Sequence, residues 1–184
     1  MGKKFLLAIL LVVSISSFGQ ISLTKMIGKN SNKYRLGAAL FTFYDIPLNS
    51  EGYAKSIRIE LMDLAYYPGK EGSFFDPDIA RGYISIKLGY KLIFSETRTG
   101  WYVEPALGYC RVVDVAEDLP EATYGDGFAA AFETGYNLEV GERGHQIAIG
   151  LKYETDRAGA AHTINSIGLR FSYSFNLFRK KNNY

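Results

Sequence analysis

The chain has 184 residues, with 21 basic and 19 acidic side chains, two histidines and a single cysteine, Cys110. Charge this balanced argues against a nucleic-acid-binding surface, which calls for a basic surplus. One cysteine rules out an intrachain disulfide framework, and so few His and Cys leave a transition-metal centre almost no ligands.

The N-terminus has the form of a secretory signal. Lys3 and Lys4 supply the basic part, residues 5–13 an apolar run, and Ser14, Ser16, Ser17 and Gly19 small residues for cleavage next to Gly19 or Gln20. The run suits a signal core and is too short to span a bilayer. Residues 1–20 are therefore expected to be a signal peptide and 21–184 a single domain. Removing Lys3 and Lys4 brings the basic residues to 19, equal to the acidic ones. No apolar run approaches the roughly 20 residues of a transmembrane helix. The mean hydropathy of −0.05 is what strands apolar on one face only should give.

The remainder alternates with period 2, the signature of strands whose successive side chains face opposite ways. Segment 34–44 sets Tyr34, Leu36, Ala38 and Leu40 against Arg35, Gly37, Ala39 and Phe41. Segment 54–67 begins with Ile57, Ile59 and Leu61 on the apolar face but continues out of phase with Leu64 and Tyr66, so a β-bulge is expected near Met62 and Asp63. Segment 83–94 sets Ile84, Ile86, Leu88, Tyr90, Leu92 and Phe94 against Ser85, Lys87, Gly89 and Lys91. Segment 101–113 sets Trp101, Val103, Leu107 and Tyr109 against Glu104, Ala106, Gly108 and Cys110. Segment 128–138 opposes Phe128, Phe132, Tyr136 and Leu138 to Ala129, Ala131, Glu133, Gly135 and Asn137. Segment 145–154 opposes Ile147, Ile149, Leu151 and Tyr153 to Gln146, Ala148, Gly150, Lys152 and Glu154. Segment 164–178 is the longest, with Ile167, Leu169, Phe171, Tyr173, Phe175 and Leu177 facing away from Ser166, Gly168, Arg170, Ser172, Ser174 and Asn176.

Soluble sandwiches also alternate, but their strands are shorter and their turns more frequent. Long strands with one greasy and one charged face suit an all-β, antiparallel, up-and-down barrel in a membrane, lipid outside and polar groups within. Such barrels put short turns on the periplasmic side and long loops outside, with an even strand number. Residues 95–100 and 141–144 are short turns, so the last strand runs inward and the count requires one earlier strand. Residues 20–28 are the candidate, with Ile21, Leu23 and Ile27 on one face and Lys25 interrupting it. The outer loops are then expected at 29–33, 68–81, 116–127 and 155–163, with a longer inner turn at 45–52.

With eight strands of this pattern, the chain resembles the small outer-membrane barrels of the OmpA and OmpX type across most of its expected mature length. Ser166, Gly168, Phe171 and Tyr173 fit the polar-x-Gly-x-x-aromatic-x-aromatic signal that barrel-insertion machinery recognises in last strands. The resemblance implies a monomer in the outer membrane of a Gram-negative cell, in contact with outer-membrane lipid and lipopolysaccharide.

An eight-stranded interior is just wide enough for side chains to fill. Arg35, Arg58, Lys87, Lys91, Lys152 and Arg170 are expected there beside Glu60, Glu104, Glu133 and Glu154. Buried charges cost several kcal/mol per ion (roughly) unless paired, so a neutralised plug is expected. Interior Gly and Ala leave room for the long charged chains. Tyr34, Tyr44, Tyr66, Tyr67, Phe94, Trp101, Tyr109 and Tyr153 lie near strand ends, where aromatic girdles form. Arg111 lies near the outer rim, either facing lipopolysaccharide phosphate or solvated, and Arg179, Lys180 and Lys181 form a solvated tail. Asp76, Asp78, Asp114, Glu117, Asp118, Glu121 and Asp126 are expected in or near outer loops, without the spacing of a dedicated calcium loop.

No cofactor and no catalytic role are expected. A hydrolytic pair would have to come from His162, read as a loop residue, and Ser166. Two side chains four positions apart on a strand are separated by about 13 Å, beyond hydrogen-bond reach. His145 is read as a turn residue. The expected role is structural, or an interaction at the cell surface through loops whose ligand the sequence does not name. The alternatives are a narrow ion pore and a soluble secreted barrel that binds lipid, which needs the two faces exchanged.

Overall fold

The computed structural model describes residues 20–48, 54–74, 78–115, 123–141, 145–159 and 162–174. The expected signal peptide, the tail with Arg179 to Lys181, and Phe175, Asn176 and Leu177 lie outside these residues. So do the loop acids Asp76, Glu117, Asp118 and Glu121.

Eight antiparallel strands close into a barrel in chain order. They are β1 (Ile21–Ile27), β2 (Gly37–Leu48), β3 (Ala54–Pro68), β4 (Ala80–Ile93), β5 (Gly100–Val115), β6 (Thr123–Val140), β7 (His145–Ala158) and β8 (His162–Ser174). The stretch expected to complete the ring does so. β1 pairs with β8 from Ile21 opposite Phe171 to Ile27 opposite Asn165, and with β2 over four residue pairs. Closure leaves no unpaired sheet edge, the ordinary liability of a strand. Lys25, which interrupts the apolar face of β1, bends away so that its Nζ donates to the Tyr34 carbonyl at 2.6 Å. Its stem can then cover apolar surface while the charge reaches the rim.

The faces follow the alternation. Leu40, Leu61, Leu64, Ile84, Ile86, Leu88, Leu107, Phe132, Ile149, Leu151 and Leu169 all point outward and are exposed, while Arg58, Glu60, Lys87, Glu104, Glu133, Lys152, Glu154 and Arg170 are buried inside. The exchanged arrangement, with Lys87, Lys91, Arg170 and Glu133 outside around a greasy cavity, is not the one this barrel has.

The expected bulge falls where β3 changes phase. Glu60 pairs with Lys87 but Asp63 pairs with Ser85, so two residues of β3 oppose one of β4. The extra residue resets the period, and both Glu60 and Asp63 point inward.

Several strands run further than their apolar alternation. β6 begins at Thr123 and β7 continues to Ala158, because backbone pairing persists from Val113 opposite Tyr124 and from Arg157 opposite Thr163. These extensions lie beyond the apolar belt, where no greasy face is required and the sequence signal fades. β2 begins at Gly37 instead of Tyr34. The residues between β1 and β2 include a short 3-10 turn over Ser31–Lys33. His145 and His162 begin β7 and β8, correcting their assignment to a turn and a loop.

Two tyrosines expected at the rim are inside instead. Tyr34 and Tyr67 are buried with Met26, Ala39, Tyr83, Cys110, Val112 and Ile164 in an apolar plug at the long-loop end. Tyr67 has inward parity, and Tyr34 folds back to a bridge with Gly69. The other aromatics do lie on the outside. At the short-turn end Trp101 meets Tyr136 edge to face at 5.6 Å and lies beside exposed Phe94, and Tyr44 is exposed on β2.

Candidate functional site

Between the apolar plug and the short-turn end the lumen is filled by ionised side chains. Lys87, from β4, places its Nζ 3.0 Å from Asp63 Oδ2 and 3.1 Å from Glu60 Oε1, and also contacts Glu154. Lys152, from β7 across the lumen, pairs with Asp63 and Glu154 and lies 3.6 Å from Glu60. Tyr83 donates its hydroxyl to Glu154 at 2.8 Å. Arg170, from β8, ties this group to the next layer: its guanidinium lies 3.1 Å from Glu60 and 2.7 Å from Glu133. Tyr102 also donates to Glu133. Arg58 grips both oxygens of Asp45 at 2.7 and 2.8 Å and reaches Glu104 at 2.9 Å.

Two guanidinium groups also stack on rings, Arg58 over Phe43 at 3.6 Å and Arg170 over Phe41 at 3.4 Å. A flat, weakly hydrated cation gains from an aromatic face while its edge stays free for carboxylates. Burial strengthens each of these attractions and makes any unpaired ion costly. The result is an ion-paired plug in which four cations meet six acids. Its internal void, beside Asp63, Lys152 and Arg170, is about 10 Å³, room for about one water molecule.

Nine of the ten residues expected in this interior are there: Arg58, Glu60, Lys87, Lys91, Glu104, Glu133, Lys152, Glu154 and Arg170. Arg35 is not. It precedes β2, and its guanidinium binds the loop carbonyls of Lys70 and, at 2.9 Å, Gly72. Parity had placed it inside a strand that has not yet begun. The sequence reading missed Asp63, Asp45 and Asp156 as lumen acids. The signal for Asp63 was present, because a bulge between Glu60 and Asp63 necessarily turns both inward. Ser166 and Gly168 face the lumen and Phe171 faces outward on β8.

Lumen glycines make room for the network. Gly150 and Gly135 sit opposite each other on β7 and β6. A Cβ on Gly150 would run into the Tyr102 hydroxyl and the Glu133 carboxylate. Gly150→Val should therefore destabilise the barrel by about 1–3 kcal/mol, the usual cost of overpacking. The urea midpoint of refolded protein checks this.

At the long-loop mouth, Arg81 and Asp114 pair on adjacent strands, and His162 Nδ1 meets Asp114 Oδ2 at 2.8 Å from across the ring. This corrects the assignment of Asp114 to a free loop acid and gives His162 a carboxylate, not Ser166, as its neighbour. Asp126 is likewise a strand residue, and Arg111 holds both its oxygens at 2.6 and 3.0 Å. That pair is solvated, beyond the apolar belt. The Arg111 hydrogen bonds, helped by one from Tyr109, hold the Asp126 carboxyl down at about 2. A depressed value means that the pair is complete above the ordinary carboxylate range and is lost only as pH falls through about 2. An NMR titration should place the Asp126 midpoint there, and Arg111→Gln should return it toward about 3.9. Among the described residues, no group of three or more His, Cys, Asp or Glu side chains is placed to hold a metal ion.

No family model matches the chain, and no curated protein sequence does. Among solved structures it is similar to Ail, the attachment invasion locus protein of Yersinia pestis. The two are 15% identical, the match covers 85% of this chain and 94% of that one, and the TM-score is 0.43. The closed ring of eight antiparallel strands is the architecture that the resemblance to small outer-membrane barrels implies.

Proposed function

We propose that this protein is a monomeric outer-membrane barrel of a Gram-negative cell, with a non-catalytic structural or surface-interaction role carried by its long loops. One observation carries the reading: every strand turns an exposed aliphatic or aromatic row outward, and the rows join into a belt around a closed barrel. Soluble monomers rarely expose contiguous apolar patches beyond a few hundred Å². Along β4 and the residue that follows it, the belt runs from Ile84 to Phe94. Ten residues of rise at the usual tilt make about 25 Å along the barrel axis, the height of a bilayer's apolar band.

The filled lumen favours a sealed barrel over a pore. The paired ions fill the middle of the lumen among the described residues, and the Tyr34, Tyr67 and Tyr83 plug lies above them. What remains available to partners is the long-loop end, beside lipid and lipopolysaccharide at the rim. Assembly would use the barrel-insertion machinery, with Ser166, Gly168, Phe171 and Tyr173 as its signal.

Surface labelling tests the orientation. In a Cys110→Ser background, Glu71→Cys at the long-loop end should react with an impermeant maleimide on intact cells, and Ser95→Cys at the opposite end should react only after lysis. The opposite pattern, or release of the protein without detergent, overturns the proposal. Single-channel steps in a planar bilayer would establish the pore instead.

A further inference from the structure

The short-turn end of the lumen contains a different kind of site. A cavity of about 80 Å³ opens there, lined by Asp45, Lys55, Ser56, Lys91, Arg98 and Gln146. It has room for several water molecules or for one small oxyanion.

Its base is Lys91, an inward lysine of β4 that is 2% exposed. None of the ion pairs among the described residues involves Lys91, Lys55 or Arg98. The other lumen cations, Arg58, Lys87, Lys152 and Arg170, each touch at least two carboxylates. Lys91 has instead the Asn137 side-chain carbonyl at 3.3 Å and the face of Tyr102 at 4.2 Å. Neither neutralises it. The carboxylates of Asp45, Glu104 and Glu133 act on it only from beyond ion-pair distance. A buried ammonium with no carboxylate in contact is costly, and this one borders the cavity.

The same Asn137 organises the cavity wall. Its amide donates to the Arg98 carbonyl at 2.6 Å. Arg98 holds a left-handed backbone, φ 59°, uncommon for a residue with a side chain. One amide thus links the buried ammonium to the turn that carries the exposed guanidinium. Lys55 adds a second cation at the rim, and Gln146 can donate from β7. Asp45, the acid in the lining, already has both oxygens on Arg58. A fixed point charge below and a forked donor above are what oxyanion recognition uses.

We infer that this cavity binds a phosphate-type oxyanion, with Lys91 as its buried anchor and Arg98 and Lys55 closing on it from the rim. The inference does not rest on the proposed surface role, since the site lies at the end opposite the long loops. Phosphate could arrive as a free solute or as a phospholipid headgroup.

The test uses the full chain in maltoside micelles, which carry no phosphate, titrated with inorganic phosphate and followed by amide NMR. Saturable shifts are expected at Lys91, Arg98 and Gln146, with chloride at equal ionic strength giving none. Lys91→Gln and Arg98→Gln should each weaken binding about tenfold or more, the loss of one charge-assisted hydrogen bond. Lys70→Gln, at the other end, should not. Lys91 also acts on the Asp45, Glu104 and Glu133 carboxylates, so circular dichroism checks the fold of its variant. Arg98→Gln, at an exposed turn residue, should keep the wild-type melting, which separates lost binding from lost fold. Saturation only in nanodiscs containing phosphatidylglycerol, and not with inorganic phosphate, would identify the headgroup as the source. Unsaturable shifts in both media, or variants that bind like wild type, overturn the inference.

Discussion

Leu88→Arg is expected to cost the barrel roughly 2–4 kcal/mol or to abolish its insertion. Leu88 is 59% exposed, midway along β4 between Ile86 and Tyr90, which are also exposed. In water a substitution at such a site would be nearly silent, because an exposed side chain loses no packing. In a bilayer the same position is at hydrocarbon depth, and the guanidinium must be dehydrated or must drag water and headgroups toward it. The size of the effect therefore reports the surroundings of the outer face. Urea titration in liposomes gives it directly. A cost below about 0.5 kcal/mol, typical of a soluble surface, would mean that water and not lipid touches this row.

Asp63→Ala is the second large effect, and it probes the opposite face. Asp63 is 2% exposed and accepts from both Lys87 and Lys152. Removing one partner from a buried ionic group leaves the rest uncompensated, and roughly 3–5 kcal/mol is the usual loss. Glu60 and Glu154 remain near both lysines, so part of the charge is still met, and the lower end of that range is expected. The pairing is testable apart from the packing. In a cycle with Lys152→Ala the two losses should fall short of additive by about 0.5–3 kcal/mol. Additivity would show that Asp63 and Lys152 do not act as a pair. The solvated pair Arg111 and Asp126 makes a control: its bidentate geometry is similar, but water screens it, and Arg111→Gln should leave the urea midpoint unchanged.

The outward and inward rows of seven strands were legible in the sequence, because period 2 converts a list of residues into two faces; β1, interrupted by Lys25, came from the strand count. Even the bulge of β3 was visible, as a break in phase between Leu61 and Leu64. What it did to the lumen was not drawn out, and Asp63 was missed for that reason. Arg35, Tyr34 and Tyr67 were misplaced for a related one. Parity says which side a residue takes only while the strand lasts, and near the ends the chain bends back or starts late. Likewise the extensions of β6 and β7 beyond the belt carry no apolar alternation, yet their backbones still pair.

The chain's alternation was therefore enough to point to a barrel and to the sign of each face, since burial in lipid or lumen acts on one residue at a time, while the strand number also needed the short turns and the even count. Which ions meet is another matter. Arg170 on β8 reaches Glu60 on β3, Lys87 on β4 reaches Glu154 on β7, and His162 reaches Asp114 across the ring. Lys91 finds no carboxylate at all among the described ion pairs. Those choices depend on where the ring closes, on register and on depth. A local pattern is blind to them, because residues far apart in sequence become neighbours only when the sheet curls back on itself.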